Sequence, residues 1–157
     1  MGVSMINRTF VETSLENIQK IKESLLSVSP YKCEVIIEQV TETKIKLSCG
    51  GKCGGHVDEI LEIVDPVRLD ATVPPQIKLI SQHINMDEDD FSIYYYSKDN
   101  VFGCYFDYKP DSTINYDYMS KLSTEEINIL LNENIFSIVD GRYVDNENFP
   151  FCRKTIT

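Results

Sequence analysis

The sequence has no long apolar run and no excess of basic residues. No stretch approaches the roughly 20 apolar residues that a membrane-spanning helix requires, and the first fifteen residues contain no apolar leader segment. We therefore expect a cytoplasmic protein without membrane contact. Twenty-five acids against fifteen bases give a net charge of −10. A field of that sign repels phosphate backbones, so we expect no binding to nucleic acid.

Histidine is scarce, and the common catalytic motifs are absent. The chain has two histidines and contains neither G-x-S-x-G nor H-E-x-x-H. These absences leave no catalytic residue to name and favour a protein that is not an enzyme. The five cysteines are odd in number and irregularly spaced, which indicates reduced thiols rather than a disulfide framework.

The negative charge is unevenly distributed along the chain. Residues 1–84 carry eleven acids and nine bases, whereas residues 85–150 carry fourteen acids and four bases. Residues 151–157 add two bases and no acid. The segment 85–150 therefore accounts for the whole net charge, and such a segment attracts basic partners.

The periodicity of apolar residues predicts helices and strands in one domain spanning residues 1–157. The capping box T-S-L-E, from Thr13 to Glu16, predicts a helix that ends near Pro30. A second helix is predicted from Val57 and a third from Ser123, which begins another capping box. The apolar face of the first helix comprises Leu15, Ile18, Ile21, Leu25 and Leu26.

Strand-like runs alternate with these helices. The aromatic-rich segment 91–108, with polar residues at 97–100, is typical of a hairpin, and Asp140-Gly141 suits a two-residue hairpin turn. The element order α-β-β-α-β-β-β-α-β-β predicts an α+β fold in which two or three helices pack on a largely antiparallel sheet. The other predicted strands cover residues 33–40, 43–49 and 76–84.

The segment K-L-S-C-G-G-K-C-G-G-H-V-D-E, residues 46–59, contains a possible metal site. Cys49, Cys53 and His56 form C-x₃-C-x₂-H, three ligand types that suit zinc. A closed zinc site needs a fourth ligand that the segment does not supply. A glycine-rich turn with incidental thiols explains the same residues, because paired glycines adopt the left-handed conformations of tight turns. We favour the turn and keep zinc as the alternative.

The same glycines, residues 50–55, lie between a predicted strand and a predicted helix, as a phosphate-binding loop does. The pattern matches neither common phosphate-loop motif. Asp58 and Glu59 also fall in the first turn of the helix, where they would repel a phosphate. A nucleotide or small-ligand site is therefore a further alternative.

An acidic, tyrosine-rich region, residues 86–118, gives the leading hypothesis. Tyrosine is enriched at interfaces, and clustered carboxylates steer a basic partner. We expect a binding protein that masks a basic site on another protein, as inhibitors, immunity proteins or antagonists of host defence do. A buried strand beside a solubilising loop is the alternative interpretation. The predicted partner-binding residues are Asp87, Glu88, Asp89, Asp90, Tyr94, Tyr96, Tyr116 and Tyr118.

Overall fold

The computed structural model describes residues 5–26, 35–50, 56–67, 72–85, 90–107 and 121–145. Within these ranges the chain forms three helices, a six-stranded antiparallel sheet and a separate two-stranded sheet, which confirms the predicted α+β fold. The helices are α1 (Leu15–Leu26), α2 (Val57–Val64) and α3 (Thr124–Asn132). The strands are β1 (Met5–Glu12), β2 (Ile36–Thr41), β3 (Lys44–Gly50), β4 (Lys78–Asn85), β5 (Asp90–Tyr96), β6 (Val101–Asp107), β7 (Phe136–Val139) and β8 (Arg142–Asp145).

Strand β1 lies inside the large sheet, and the predicted element order missed it. The strand order is β2-β3-β1-β4-β5-β6, so β1 pairs with β3 on one side and with β4 on the other. The prediction began with a helix and was wrong at this point. Asn7, Thr9, Phe10 and Val11 are all buried. A strand covered on both faces shows no polar–apolar alternation, and polar residues within it hide the remaining signal.

The sheet is covered on opposite faces by different helices. Side chains alternate across a strand, so Phe10 and Val11 enter two separate hydrophobic clusters. Helices α1 and α2 cover one face, which we call the α1–α2 face, where Val11 lies. Helix α3 and strand β7 cover the other, the α3 face, where Phe10 lies. The first cluster comprises Val11, Ile18, Ile21, Leu25, Ile45, Leu47, Ile60, Leu61, Ile77 and Leu79. The second comprises Phe10, Ile80, Ile84, Ile93, Tyr95, Leu130, Ile135 and Phe136.

The start of α1 differs from the prediction by one residue. Ser14 Oγ, rather than Thr13 Oγ1, accepts a hydrogen bond from the backbone N–H three residues later, that of Asn17, at 3.2 Å. Asn17 Nδ2 in turn donates to Thr13 Oγ1 at 3.0 Å. Glu16 does not reach back and instead pairs with Lys20 at 3.4 Å. The predicted inward position of Leu15 is also wrong, because this side chain is exposed.

The remaining local signals agree with the structure. Ser123 Oγ accepts from the backbone N–H of Glu126, whose carboxylate accepts from the N–H of Ser123, so the capping box of α3 is complete. Asp140 and Gly141 have φ values of 50° and 77°, as their hairpin turn requires. None of the helices in the described ranges combines the length and the apolar character needed to cross a bilayer.

Candidate functional site

Strands β5 and β6 have one buried face and one exposed face. Ile93 and Tyr95 are buried on the α3 face, where Phe102 and Cys104 pack against them. The alternate residues point toward the α1–α2 side, and large side chains among them are exposed. Tyr94 is 38%, Tyr105 44% and Val101 56% exposed. We call this surface the tyrosine face. It comprises His83, Tyr94, Tyr96, Val101, Gly103 and Tyr105.

Two neighbours hold the ring of Tyr94 in place. Gly103 lies directly opposite Tyr94 in the β5–β6 register. A β-carbon on residue 103 would lie 2.5 Å from Cδ1 and 2.8 Å from Cε1 of Tyr94, so the ring occupies the space that the glycine leaves. The ring of His83 meets that of Tyr94 edge-to-face, with centroids 5.3 Å apart. Tyr94 is therefore oriented by its neighbours although much of it is exposed.

Tyr96 connects the tyrosine face to the hydrophobic cluster that α1 and α2 cover. Its side chain is half-buried and packs against the cluster beneath α1 and α2. Burial raises the pKa of the Tyr96 phenol, and the charge of Asp58 and the neighbouring Tyr94 phenol raise it further. Asp58 is an exposed residue in the first turn of α2. Asp58 is therefore close enough to Tyr96 for its charge to act on that phenol.

A row of polar side chains joins β1 to β4 beside the tyrosine face. Ser81 Oγ lies 3.4 Å from His83 Nε2 and 3.4 Å from Thr9 Oγ1. Asn7 lies opposite His83 in the strand register, and its buried Oδ1 has no hydrogen-bond partner among the described residues. Burial lowers the pKa of His83, so the imidazole is neutral at pH 7. Ser81 contacts Thr9 across the β1–β4 pair and His83 along β4 itself. Because Ser81 is fully buried, its contact with His83 does not present a nucleophile to a substrate.

The structure describes part of the predicted partner-binding set. Tyr94 is exposed and Tyr96 is half-buried. The backbone of Asp90 begins β5, and its side chain lies outside the description. The other predicted residues, Asp87, Glu88, Asp89, Tyr116 and Tyr118, lie outside the described residues.

The prediction omitted His83 and Tyr105, which lie on the tyrosine face, and Asp58, whose charge raises the pKa of Tyr96. Alternation along β6 already placed Tyr105 opposite the core face and could have identified it. Asp58 is 36 residues before Tyr94 in sequence, so no local pattern connects the two. His83 likewise reaches Tyr94 only because β4 pairs with β5.

The predicted metal ligands are only partly described. Cys49 lies in β3 opposite Asn7, but its side chain and the whole of Cys53 lie outside the described residues. His56 is 3% exposed, and its Nδ1 lies 3.2 Å from Glu59 Oε2 in the first turn of α2. Among the described residues, no three His, Cys, Asp or Glu side chains are grouped to hold a metal ion. Zinc at Cys49, Cys53 and His56 therefore stays a prediction.

The predicted phosphate-binding loop is also largely outside the description. Residues 51–55 are not described, whereas Gly50 ends β3 and α2 begins at Val57. Asp58 and Glu59 do occupy the first turn of α2, as predicted. Their carboxylates oppose anion binding at this helix end.

A shallow cleft of about 520 Å³ lies at the end of the sheet where β1 stops and β4 begins. Lys78 reaches from its rim to Glu12 Oε2 at 2.9 Å and to Glu133 Oε2 at 2.7 Å. Burial alone would lower the pKa of Lys78, but its hydrogen bonds and charge interactions with Glu133 and Glu12 outweigh burial, and the pKa is raised. Lys78 is a protonated link between the sheet and the end of α3. The cleft is lined by Glu12, Thr13, Thr43, Pro75, Gln76, Ile77, Lys78, Ser97, Lys98 and Asp99.

Comparisons with known proteins identify no relative. No protein-family model, no curated protein sequence and no solved structure matches the chain.

Proposed function

We propose that the protein is an interaction protein that masks a basic site on a protein partner, and that the partner docks on the tyrosine face. The observation that carries the proposal is the exposure of Tyr94 and Tyr105 on a strand pair whose other face is core. Tyrosine combines a large apolar ring with a polar tip and is enriched at protein interfaces.

The charge distribution supports a basic partner. The tyrosine face is built mainly from β5 and β6, which lie in the segment 85–150 with its fourteen acids and four bases. Asp58, from outside that segment, adds a carboxylate whose negative charge acts on Tyr96. Clustered charge of one sign speeds encounter with the opposite charge and opposes wrong partners. Inhibitors of nucleases, immunity proteins and antagonists of host defence are the functional classes that such a surface suits.

The proposal is tested by comparing two neutralised proteins of equal net charge. The first replaces Asp87, Glu88, Asp89 and Asp90 by the corresponding amides. The second replaces four acids on α1, on β2 and in the β2–β3 turn, away from the tyrosine face: Glu16, Glu23, Glu38 and Glu42. Both change the formal charge from −10 to −6. A partner is first captured from the native source with the unmodified protein and identified.

We expect the first variant to associate more slowly with the captured partner, and its association rate should depend less on salt concentration. The second variant should keep most of the parent's association rate and most of its salt dependence. Tyr94→Ala should instead speed dissociation, with a loss of about 2 kcal/mol if Tyr94 is a central anchor. Surface plasmon resonance at two salt concentrations measures both effects. Equal association rates for the two charge variants, together with unchanged dissociation of Tyr94→Ala, would contradict the proposal.

A zinc-binding protein is the second candidate, and the His56–Glu59 contact favours it. A metal-binding imidazole commonly has a carboxylate on its other ring nitrogen, as Nδ1 of His56 has at 3.2 Å. Only three ligands are local, so we expect less than about half an equivalent of zinc in protein purified without chelator. Elemental analysis decides between the candidates. Stoichiometric zinc that disappears in Cys49→Ser and Cys53→Ser would favour the zinc protein.

A further inference from the structure

Of the residues that form the tyrosine face, His83 is the one whose side chain ordinarily changes charge near neutral pH. Its ring meets the Tyr94 ring edge-to-face, with centroids 5.3 Å apart. The Tyr94 ring also fills the space over Gly103, so its position depends on both neighbours. A change in the charge of His83 therefore acts directly on an exposed ring of the proposed docking surface.

A buried acceptor lies opposite His83 and lacks a donor. A neutral imidazole has one N–H, whereas an imidazolium has two and needs a second acceptor. Nε2 of His83 lies 3.4 Å from Ser81 Oγ. Asn7, directly opposite His83 in the β1–β4 register, is 2% exposed, and its Oδ1 has no hydrogen-bond partner among the described residues. Residues directly opposite on antiparallel strands have β-carbons about 5 Å apart, so this oxygen is within reach of the imidazole.

The described groups around His83 are polar but uncharged at neutral pH. Asn7 lies opposite it on β1 and Ser92 on β5, while Ser81 is two residues away along β4 and Tyr94 contacts its ring. Burial is the cause of its lowered pKa, and no charged side chain in the described part of the chain contributes. The titratable residues one strand further out in the same row are Tyr105 on β6 and Cys49 on β3.

We propose that His83 and Asn7 form a proton-dependent switch that weakens binding of the basic partner to the tyrosine face in acid. This inference rests on the proposed function and adds its regulation. Near neutral pH the uncharged imidazole packs against Tyr94. In acid, a proton taken up from solvent lets His83 donate a hydrogen bond to Asn7 Oδ1. It also places a positive charge 5.3 Å from the centre of the Tyr94 ring, where it repels a basic partner. Because burial lowers the pKa of His83, the change occurs below pH 6.5.

NMR of the free protein tests the switch without a partner. The ring C–H signals of His83 report its protonation between pH 8 and pH 5, and Tyr94→Phe assigns the Tyr94 ring signals. We expect the Tyr94 signals to change with the same midpoint as His83, and this change to be absent in His83→Gln. Tyr94 signals that do not follow His83, or a His83 that stays neutral down to pH 5, would overturn the inference.

Variants at Asn7 test the acceptor. Asn7→Asp puts a carboxylate opposite His83 and should raise the His83 midpoint, whereas Asn7→Leu, of similar size, removes the acceptor and should lower it. The matched control Asn100→Asp adds the same charge in the β5–β6 turn and should leave the midpoint unchanged. Amide spectra show that each variant is folded. If Asn7→Leu does not fold, the comparison of Asn7→Asp with Asn100→Asp decides. One midpoint shared by the parent and the folded Asn7 variants would contradict the role of Asn7.

Binding measurements separate this inference from the proposed function. Surface plasmon resonance compares dissociation of the captured and identified partner at pH 7.5 and just below the His83 midpoint. The acceleration in acid should be about threefold larger for the parent than for His83→Gln. Equal acceleration would overturn the switch, and the proposed function would stand if Tyr94→Ala still speeds dissociation at pH 7.5. Failure of the proposed function shows separately, as unchanged dissociation of Tyr94→Ala at pH 7.5.

Discussion

His83 contacts both an exposed residue of the tyrosine face and a buried residue of the sheet. Its ring contacts Tyr94 on the outer side, and its Nε2 faces the hydroxyl of the buried Ser81. Burial lowers the pKa of His83 below the ordinary value of 6.5. His83 therefore binds a proton less readily in the folded chain than in the unfolded chain.

Acidification should for this reason destabilise the fold through His83. Above pH 6.5 the histidine is neutral in both states and has no effect, whereas below it the unfolded state gains a proton first. The free energy of unfolding should fall from pH 6.5 down to the lower pKa of the folded state. His83→Gln should lose this part of the pH dependence, which denaturant unfolding at pH 7.5 and 5.5 measures. Identical pH slopes for the two proteins would contradict the prediction.

Cys104 should be an unreactive thiol in the folded protein. Burial, and secondarily the charge of Glu126, raise its pKa from 9.0 to about 12. The thiolate is the reactive form, so at pH 8 the reaction with iodoacetamide should be roughly a thousandfold slower than in the unfolded chain. A variant with Cys33, Cys49, Cys53 and Cys152 replaced by serine isolates this thiol. Equal alkylation rates with and without denaturant would show that Cys104 is accessible.

Helix α3 depends on its cap, because it has nine residues and packs on the sheet mainly through Leu130. Ser123→Ala removes the acceptor for the Glu126 N–H and should lower the free energy of unfolding by about 1 kcal/mol. Ser123→Asp supplies another capping oxygen and should retain most of the stability. Denaturant unfolding of both variants checks the expectation. An alanine variant as stable as the parent would mean that packing alone holds the helix.

Prediction of the helices and strands succeeded wherever one face of an element met solvent. Helix α2 and the β5–β6 hairpin have one apolar and one polar face in sequence, and both form as predicted. Strand β1 was not predicted, because it is buried on both faces and the polar residues Asn7 and Thr9 interrupt its apolar residues. The cap of α1 was misplaced by one residue, because Thr13 and Ser14 are adjacent hydroxyl residues and sequence alone does not choose between them.

Lys78 links two elements that are far apart in sequence, because its ammonium group pairs with Glu12 at the end of β1 and with Glu133 at the end of α3. Lys78→Met should leave the Glu12 and Glu133 carboxylates without their shared cation and lower the free energy of unfolding by about 1–2 kcal/mol. Lys98→Met, an exposed lysine lining the same cleft, is the matched control and should have little effect.

The contribution of Lys78 should also depend on pH in a defined direction. Its pKa is raised above the ordinary 10.5, so the stabilisation is complete below pH 10.5 and is lost as the pH rises through the folded value. The stability difference between the parent and Lys78→Met should therefore be constant from pH 7 to 10 and shrink above 10.5. A difference that does not change above pH 10.5 would show that charge is not the source of the stabilisation.

The chain alone was enough to indicate the α+β class, most of the elements, the negative charge of residues 85–150 and the shared face of Tyr94 and Tyr96. These properties depend on neighbours in sequence, through side-chain periodicity, caps and turns. The exposure of Tyr94 beside the half-burial of Tyr96, and the contact of His83 with Tyr94, depend instead on strand order. Because β1 lies between β3 and β4, Tyr96 reaches the cluster under α1 and α2 while Tyr94 and Tyr105 stay exposed. Contacts between residues far apart in sequence are set by packing that minimises exposed apolar area over the entire fold. A local sequence pattern therefore does not predict them.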